Sequence, residues 1–242
     1  FAVTPGFRFE HIFTESEGVY SEVLFDIAQN PISNVEQIDD RSFNRSFMLF
    51  GLGLSYTIGP KAEGYANISQ NYRSVTFSDI RTVSPTFVVD PDITDEQGYT
   101  VDLGIRSLTA KTFNFDVSIF GLLYDDRIGI ILDDRANRVR KNIGEAFIYG
   151  MEIFGDLNLV SSLNKDWKEV KLNVFINTAF TESSYLASEE NNVKGKKVEF
   201  IPMLNFKTGG NFGFRNLMGS LQWIYLSEQF TDVENSTIAV DG

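Results

Sequence analysis

Apolar and polar side chains alternate residue by residue over much of this chain, and that period predicts β-strands. Between Tyr99 and Arg106, one face carries Tyr99, Val101, Leu103 and Ile105, and the other Thr100, Asp102, Gly104 and Arg106. From Phe113 the pattern sets Phe113, Phe115, Val117 and Ile119 against Asn114, Asp116 and Ser118. Further on, Phe147, Tyr149, Met151, Ile153 and Leu157 oppose Gly150, Glu152, Asp156 and Asn158. Charges inside the strands keep to one parity, as Asp102, Arg106, Asp116, Glu152, Lys171 and Lys207 do. Alternation this strict means two faces in very different surroundings.

Nine strands are expected, near residues 2–13, 47–58, 63–75, 97–107, 112–124, 146–159, 170–183, 203–214 and 220–230. Short turns at Gly59-Pro60-Lys61, Ser107 to Lys111, Ser161 to Trp167 and Arg215 to Gly219 alternate with long polar loops. The long ones fill Thr14 to Ser46, Ser78 to Gln97, Asp125 to Glu145 and Ala187 to Pro202. Such loops are unusual in compact soluble domains, whereas outer-membrane barrels pair short periplasmic turns with long extracellular loops. The expected fold is an antiparallel up-and-down transmembrane β-barrel, its apolar parity on lipid and its polar parity on the lumen. A soluble β-sandwich used for adhesion or glycan binding gives the same binary pattern and stays open at this level.

Composition narrows the chemistry. No Cys and a single His remove disulfides, thiolate metal sites and multi-His centres. A net charge of −12 has the wrong sign for nucleic acid, so no nucleic-acid partner is expected. No apolar run approaches the roughly 18 residues of a transmembrane helix, so any membrane crossing falls to strands. Gly51-x-Gly53 sits inside a strand without a following helix, which excludes a nucleotide loop. Nothing fixes the geometry of Asp125/Asp126 or Asp133/Asp134, and no EF-hand spacing appears, so neither an enzyme nor a resident cofactor or metal is expected.

Specific segments resemble the TonB-dependent outer-membrane receptors. Val3 to Ile12 is similar to their "TPG-hydrophobic-R-hydrophobic-E" strand, and Tyr65 to Arg73 to their "YAN-x-S" strand. Tyr99 to Arg106 resembles a third, with Asp102 where Glu is usual, and Ala146 to Glu152 a fourth, through Gly150 and Glu152. Ser227 to Asn235 resembles a segment of the ferric dicitrate receptor subgroup. The resemblance implies a barrel of about 22 strands closed by an N-terminal plug. This chain would be an internal, unclosed arc of about nine of them, roughly the eleventh to nineteenth, without plug, TonB box or final strands.

What the resemblance implies is uptake of a ferric chelate, ferric citrate or another siderophore, in a TonB-dependent manner. Glycan or cobalamin remain alternative cargoes. The partners expected are the cargo, outer-membrane lipid or lipopolysaccharide, the receptor's own plug, and TonB through parts outside this chain. Arg127, Arg135, Arg138 and Arg140, in the loop from Asp125 to Glu145, are candidate ligand contacts, because a guanidinium can donate two hydrogen bonds to one chelate carboxylate. Asn71 and Arg73, after the third strand, are further candidates, and Arg8, Glu10, Arg106 and Glu152 are expected to face the lumen and the plug. Trp167, Tyr56, Tyr149 and Trp223 read as membrane-interface anchors, and His11 as an interface residue near a strand end.

Overall fold

The computed structural model describes all residues except 29, 82–85, 109–110, 134–135, 164–166, 168 and 240–242, and all side chains except those and residues 22 and 25. Its strands are β1 (Ala2–Ser16), β2 (Val19–Phe25), β3 (Pro31–Ile38), β4 (Arg41–Ile58) and β5 (Ala62–Arg73). A single helical turn, α1 (Phe77–Ile80), precedes β6 (Phe87–Val89), β7 (Glu96–Ser107), β8 (Phe113–Leu132) and β9 (Arg138–Asn158). The turn α2 (Leu159–Ser162) leads to β10 (Val170–Ser188), β11 (Leu204–Phe214), β12 (Leu217–Leu226), β13 (Gln229–Phe230) and β14 (Ile238–Ala239). No described helix is long and apolar enough to cross a membrane.

Nine long strands pair edge to edge in the order β1-β4-β5-β7-β8-β9-β10-β11-β12. Every pair along that path is antiparallel, and the arc is open, with β1 and β12 at its edges. All nine expected strands are present, and the short turns gather at one end of the sheet. No second sheet covers the outward face among the described residues, which removes the sandwich. Register confirms the parities: Arg106 lies opposite Asp116, Asn67 opposite Asp102, and Leu103 opposite Ile119.

On β4 the outward positions Met48, Phe50, Leu52, Leu54, Tyr56 and Ile58 are all exposed and apolar or aromatic. The stretch from Met48 to Ile58 has the length a tilted strand of about 9–11 residues needs to cross the hydrocarbon core. Tyr56, Tyr149 and Trp223 are exposed on the same outward face, and Trp167 is exposed at the short-turn end. His11 also points outward, its Nδ1 2.8 Å from the Ser46 hydroxyl. On the inward face the polar side chains bond across strands. The Tyr65 hydroxyl donates to Asp116 (2.7 Å), Asn67 to Asp102 (3.0 Å) and Arg106 to Glu63 (2.7 Å).

Beyond the membrane band the pattern inverts, and this corrects the expected strand ends. The extension of β4 turns Ser42, Asn44 and Ser46 outward, while Phe43 and Phe47 face inward. Likewise Asp125 to Glu145 is not a loop: β8 runs to Leu132 and β9 restarts at Arg138. A local irregularity between Tyr124 and Ile128, with Asp126 at φ 52°, displaces the pairing at Arg127 by one residue, and the register is the same on either side of it. The segment from Thr14 to Ser46 holds the ends of β1 and β4 and the β2–β3 hairpin.

The inverted faces are apolar because loops fold inward over them. One cluster packs Val75, Ile80, Phe87, Val89 and Ile93, from the segment between β5 and β7, against Ile128, Ile130 and Phe43. β6 also pairs in parallel with Arg138–Arg140 of β9. The other packs Val193, Val198 and Val233 against Ile143, Ala146, Ile148 and Tyr185.

The wall itself parts under the first cluster. β4 and β5 pair only from Gly51↔Ser69 to Ile58↔Ala62, and above that β4 stays with β1 while β5 stays with β7. Side chains bridge the gap. Gln70 accepts from the Phe50 N–H (3.0 Å), the Tyr72 ring packs on Phe47 (centroids 3.7 Å apart), and Asp95 accepts from Arg45, the Tyr72 hydroxyl and the Val75 N–H. Arg45 also donates to the Val75 carbonyl (2.8 Å), and Arg41 to those of Val89 and Asp90.

Candidate ligand-binding mouth

At the long-loop end, two adjoining cavities open on the inward face. The larger, 600 Å³, lies where the two loop clusters meet and is lined by Arg73, Asp79, Arg138, Arg140, Glu199 and Asp232 among others. The smaller, 380 Å³, is lined by Asn71, Tyr72, Arg73, Glu96, Tyr124, Arg127 and Ile128. Five of the six residues nominated from sequence as ligand contacts therefore come together here. The sixth, Arg135, lies outside the described residues.

Most of these arginines already hold carboxylates. Arg73 sits between Asp79 (2.7 Å) and Glu96 (2.9 Å), and Glu96 also accepts from the Ile128 N–H (2.8 Å). Arg140 lies 3.8 Å from Asp79 and donates to the Ser78 carbonyl. Arg127 lies 3.7 Å from Glu199, which accepts a 2.8 Å bond from the Tyr185 hydroxyl. Arg138 is exposed and in no ion pair among the described residues. Asn71 donates to the Thr100 hydroxyl (3.3 Å), and its Oδ1 has no partner; the Arg127 Nε has none either. Gly98 makes room for Asn71, since a Cβ there would meet Asn71 Oδ1 at 2.6 Å and the Leu123 carbonyl at 1.9 Å.

Asp79 joins the loop to the wall. Burial works against its charge, but the N–H and hydroxyl of Thr76 and the Arg73 guanidinium outweigh it and hold the carboxyl below its usual range. A carboxyl lowered by folding stabilises the fold above its unfolded pKa of about 3.9, and that contribution disappears as pH falls through the folded value. A spin label at Ser78 is therefore expected to gain mobility below about pH 4, and Asp79→Asn to produce the same mobility at pH 7. Unchanged spectra in both would contradict the clamp.

The plug-facing candidates lie where parity places them. Arg8 and Glu10 pair with each other on the inward face of the edge strand, Arg106 pairs with Glu63 over the Tyr65 ring (5.2 Å), and Glu152 is exposed and in no ion pair among the described residues. Sequence reasoning named Asp79 only as the end of the candidate segment from Asn71, and passed over Asp95, Glu96 and Glu199. Only Asp79 carried a local signal, the Thr76-x-x-Asp79 spacing of a capping box. The other three act across the fold.

An open antiparallel arc, apolar outside and polar within, with long loops turned into its mouth, defines a piece of an outer-membrane receptor barrel. The whole chain, residues 1–242, matches the family model described as TonB dependent receptor-like, beta-barrel, and the chain belongs to that family. It is a barrel of the bacterial outer membrane and no enzyme. The arc superposes on the ferric yersiniabactin uptake receptor FyuA from Yersinia pestis (TM-score 0.70, 19% identity, 98% of this chain and 33% of that one). It also superposes on the ferric citrate transporter FecA in its unliganded form (0.64, 20%, 96% and 31%) and on the siderophore receptor PiuA from Acinetobacter baumannii (0.67, 13%, 98% and 32%). The chain thus spans about a third of the length of these proteins, and at such identities the likeness is one of fold. No curated protein matches in sequence.

Proposed function

We propose that this chain supplies wall and part of the binding mouth of a receptor that takes up a ferric chelate, ferric citrate or another siderophore, across the outer membrane in a TonB-dependent manner. The observation that carries the reading is the pair of cavities at the long-loop end, walled by inward-folded loops and lined by Asn71, Arg73, Arg127, Arg138 and Arg140. Solvated loops with no cargo would have no need to cover the inward face. Arg8, Glu10, Arg106 and Glu152 face the lumen, where the receptor's own plug would sit; TonB would act through parts outside this chain.

The test is uptake of radiolabelled iron by iron-starved cells, with and without the receptor and with and without TonB. Chelated iron is expected to enter only when both are present. Uptake unaffected by loss of the receptor, across ferric citrate and a siderophore panel, would sink the iron reading; uptake that persists without TonB would sink only the coupling.

A further inference from the structure

We propose that the cargo is a ferric chelate of zero or positive net charge, rather than a polycarboxylate. The proposal rests on the iron-chelate reading above and selects among its cargoes.

The first ground is charge. The residues lining the two cavities include four arginines (Arg73, Arg127, Arg138 and Arg140) and five carboxylates (Asp79, Glu96, Glu199, Asp232 and Glu234). Among the described residues, the part of the mouth this chain supplies therefore has no positive surplus, and the chain around it carries −12. A field of that sign slows the approach of an anion and favours a neutral or cationic solute.

The second ground is prior engagement. A carboxylate ligand at Arg73 shares the guanidinium with Asp79 and Glu96, and one at Arg127 competes with Glu199. Displacing any of the three strands a protein carboxylate among the remaining acids, and Asp79 and Glu96 are buried. Among the described arginines lining the cavities, Arg138 alone is in no ion pair, and one exposed guanidinium does little for a multiply charged anion.

The experiment titrates the full-length receptor in detergent with three probes: ferrichrome (uncharged), ferrioxamine B (singly positive) and ferric dicitrate (anionic). At low salt, at least one of the first two is expected to bind about tenfold or more tighter than ferric dicitrate, with the gap narrowing as salt screens the mouth. Glu199→Gln leaves Tyr185 an acceptor while freeing Arg127, so it should improve ferric dicitrate binding; heat-modifiable migration of the unboiled receptor on gels reports that the variant is folded. Tighter binding of ferric dicitrate by the unaltered receptor overturns the proposal and leaves the iron-chelate reading standing. Failure of all three probes to bind overturns the iron-chelate reading, and the proposal with it.

Discussion

Arginine in place of Leu103 or Ile119 is expected to lower the stability of the folded barrel by about 2–4 kcal/mol, whereas lysine in place of Ser118 should cost under about 1 kcal/mol. Leu103 and Ile119 are cross-strand partners on the outward face, both exposed and both near the middle of the apolar band. A guanidinium there leaves water for hydrocarbon, and no acid lies on that parity nearby. Ser118 is the residue next to Ile119, but it faces inward opposite Glu152, so an ammonium there meets water and a carboxylate. One step along the same strand thus separates a severe substitution from a mild one. Denaturant unfolding of the full-length receptor in lipid vesicles measures both, and equal costs at Ile119 and Ser118 would contradict the assignment of faces.

The second large effect is local. Asp95→Ala is expected to free the segment between β5 and β7 from the wall at a cost of about 3 kcal/mol. Three donors converge on that carboxylate: the Arg45 guanidinium, the Tyr72 hydroxyl and the Val75 N–H. They do so where β4 and β5 no longer share backbone hydrogen bonds, so side chains hold the gap, and Asp95 gathers three of the donors that close it. Arg45 and Asp95 are both largely buried, and removing one leaves the other charged and unpaired. Arg45→Ala should therefore loosen the segment to a similar degree, and the double variant should lose far less than the sum. Tyr72→Phe removes one hydrogen bond and keeps the ring on Phe47, so about 1 kcal/mol is expected. Protease cleavage after Arg81 follows the release; Asp95→Ala cleaved no faster than the unaltered receptor would contradict the bridge.

The membrane-crossing halves of the strands were legible because two solvents write two parities. Asp102, Asp116 and Glu152 can occupy only the inward one, and Leu103, Ile119 and Met151 sit comfortably on the outward one. Above the membrane both faces meet protein or water, and the rule fails. There Phe43 turns inward under a loop while Ser42 turns outward, so the strand beginning at Arg41 reads from sequence as part of a polar loop. The rest of β8 was hidden in the same way, because Ile128 and Ile130 keep the inward parity, which a reader assigns to polar groups, and turn it apolar under the loops.

The candidate site was legible by residue type and not by state. Arg73, Arg127 and Arg140 do line the mouth, yet Asp79, Glu96 and Glu199 hold them there. Glu199 lies far along the chain from Arg127, and no spacing rule joins the two. Charge counted along one segment therefore misses the carboxylates that other segments bring to it.

The central claim is that this chain is barrel wall, with lipid against one parity and an aqueous lumen against the other. Single cysteines along Tyr99 to Arg106 test it most directly, because the chain has no Cys of its own. In the receptor reconstituted in vesicles, a fluorophore at 99, 101, 103 or 105 should be quenched by lipid-borne nitroxides. A fluorophore at 100, 102, 104 or 106 should be quenched by water-soluble iodide. The predicted result is strict alternation along β7; uniform quenching by iodide at all eight positions would contradict it.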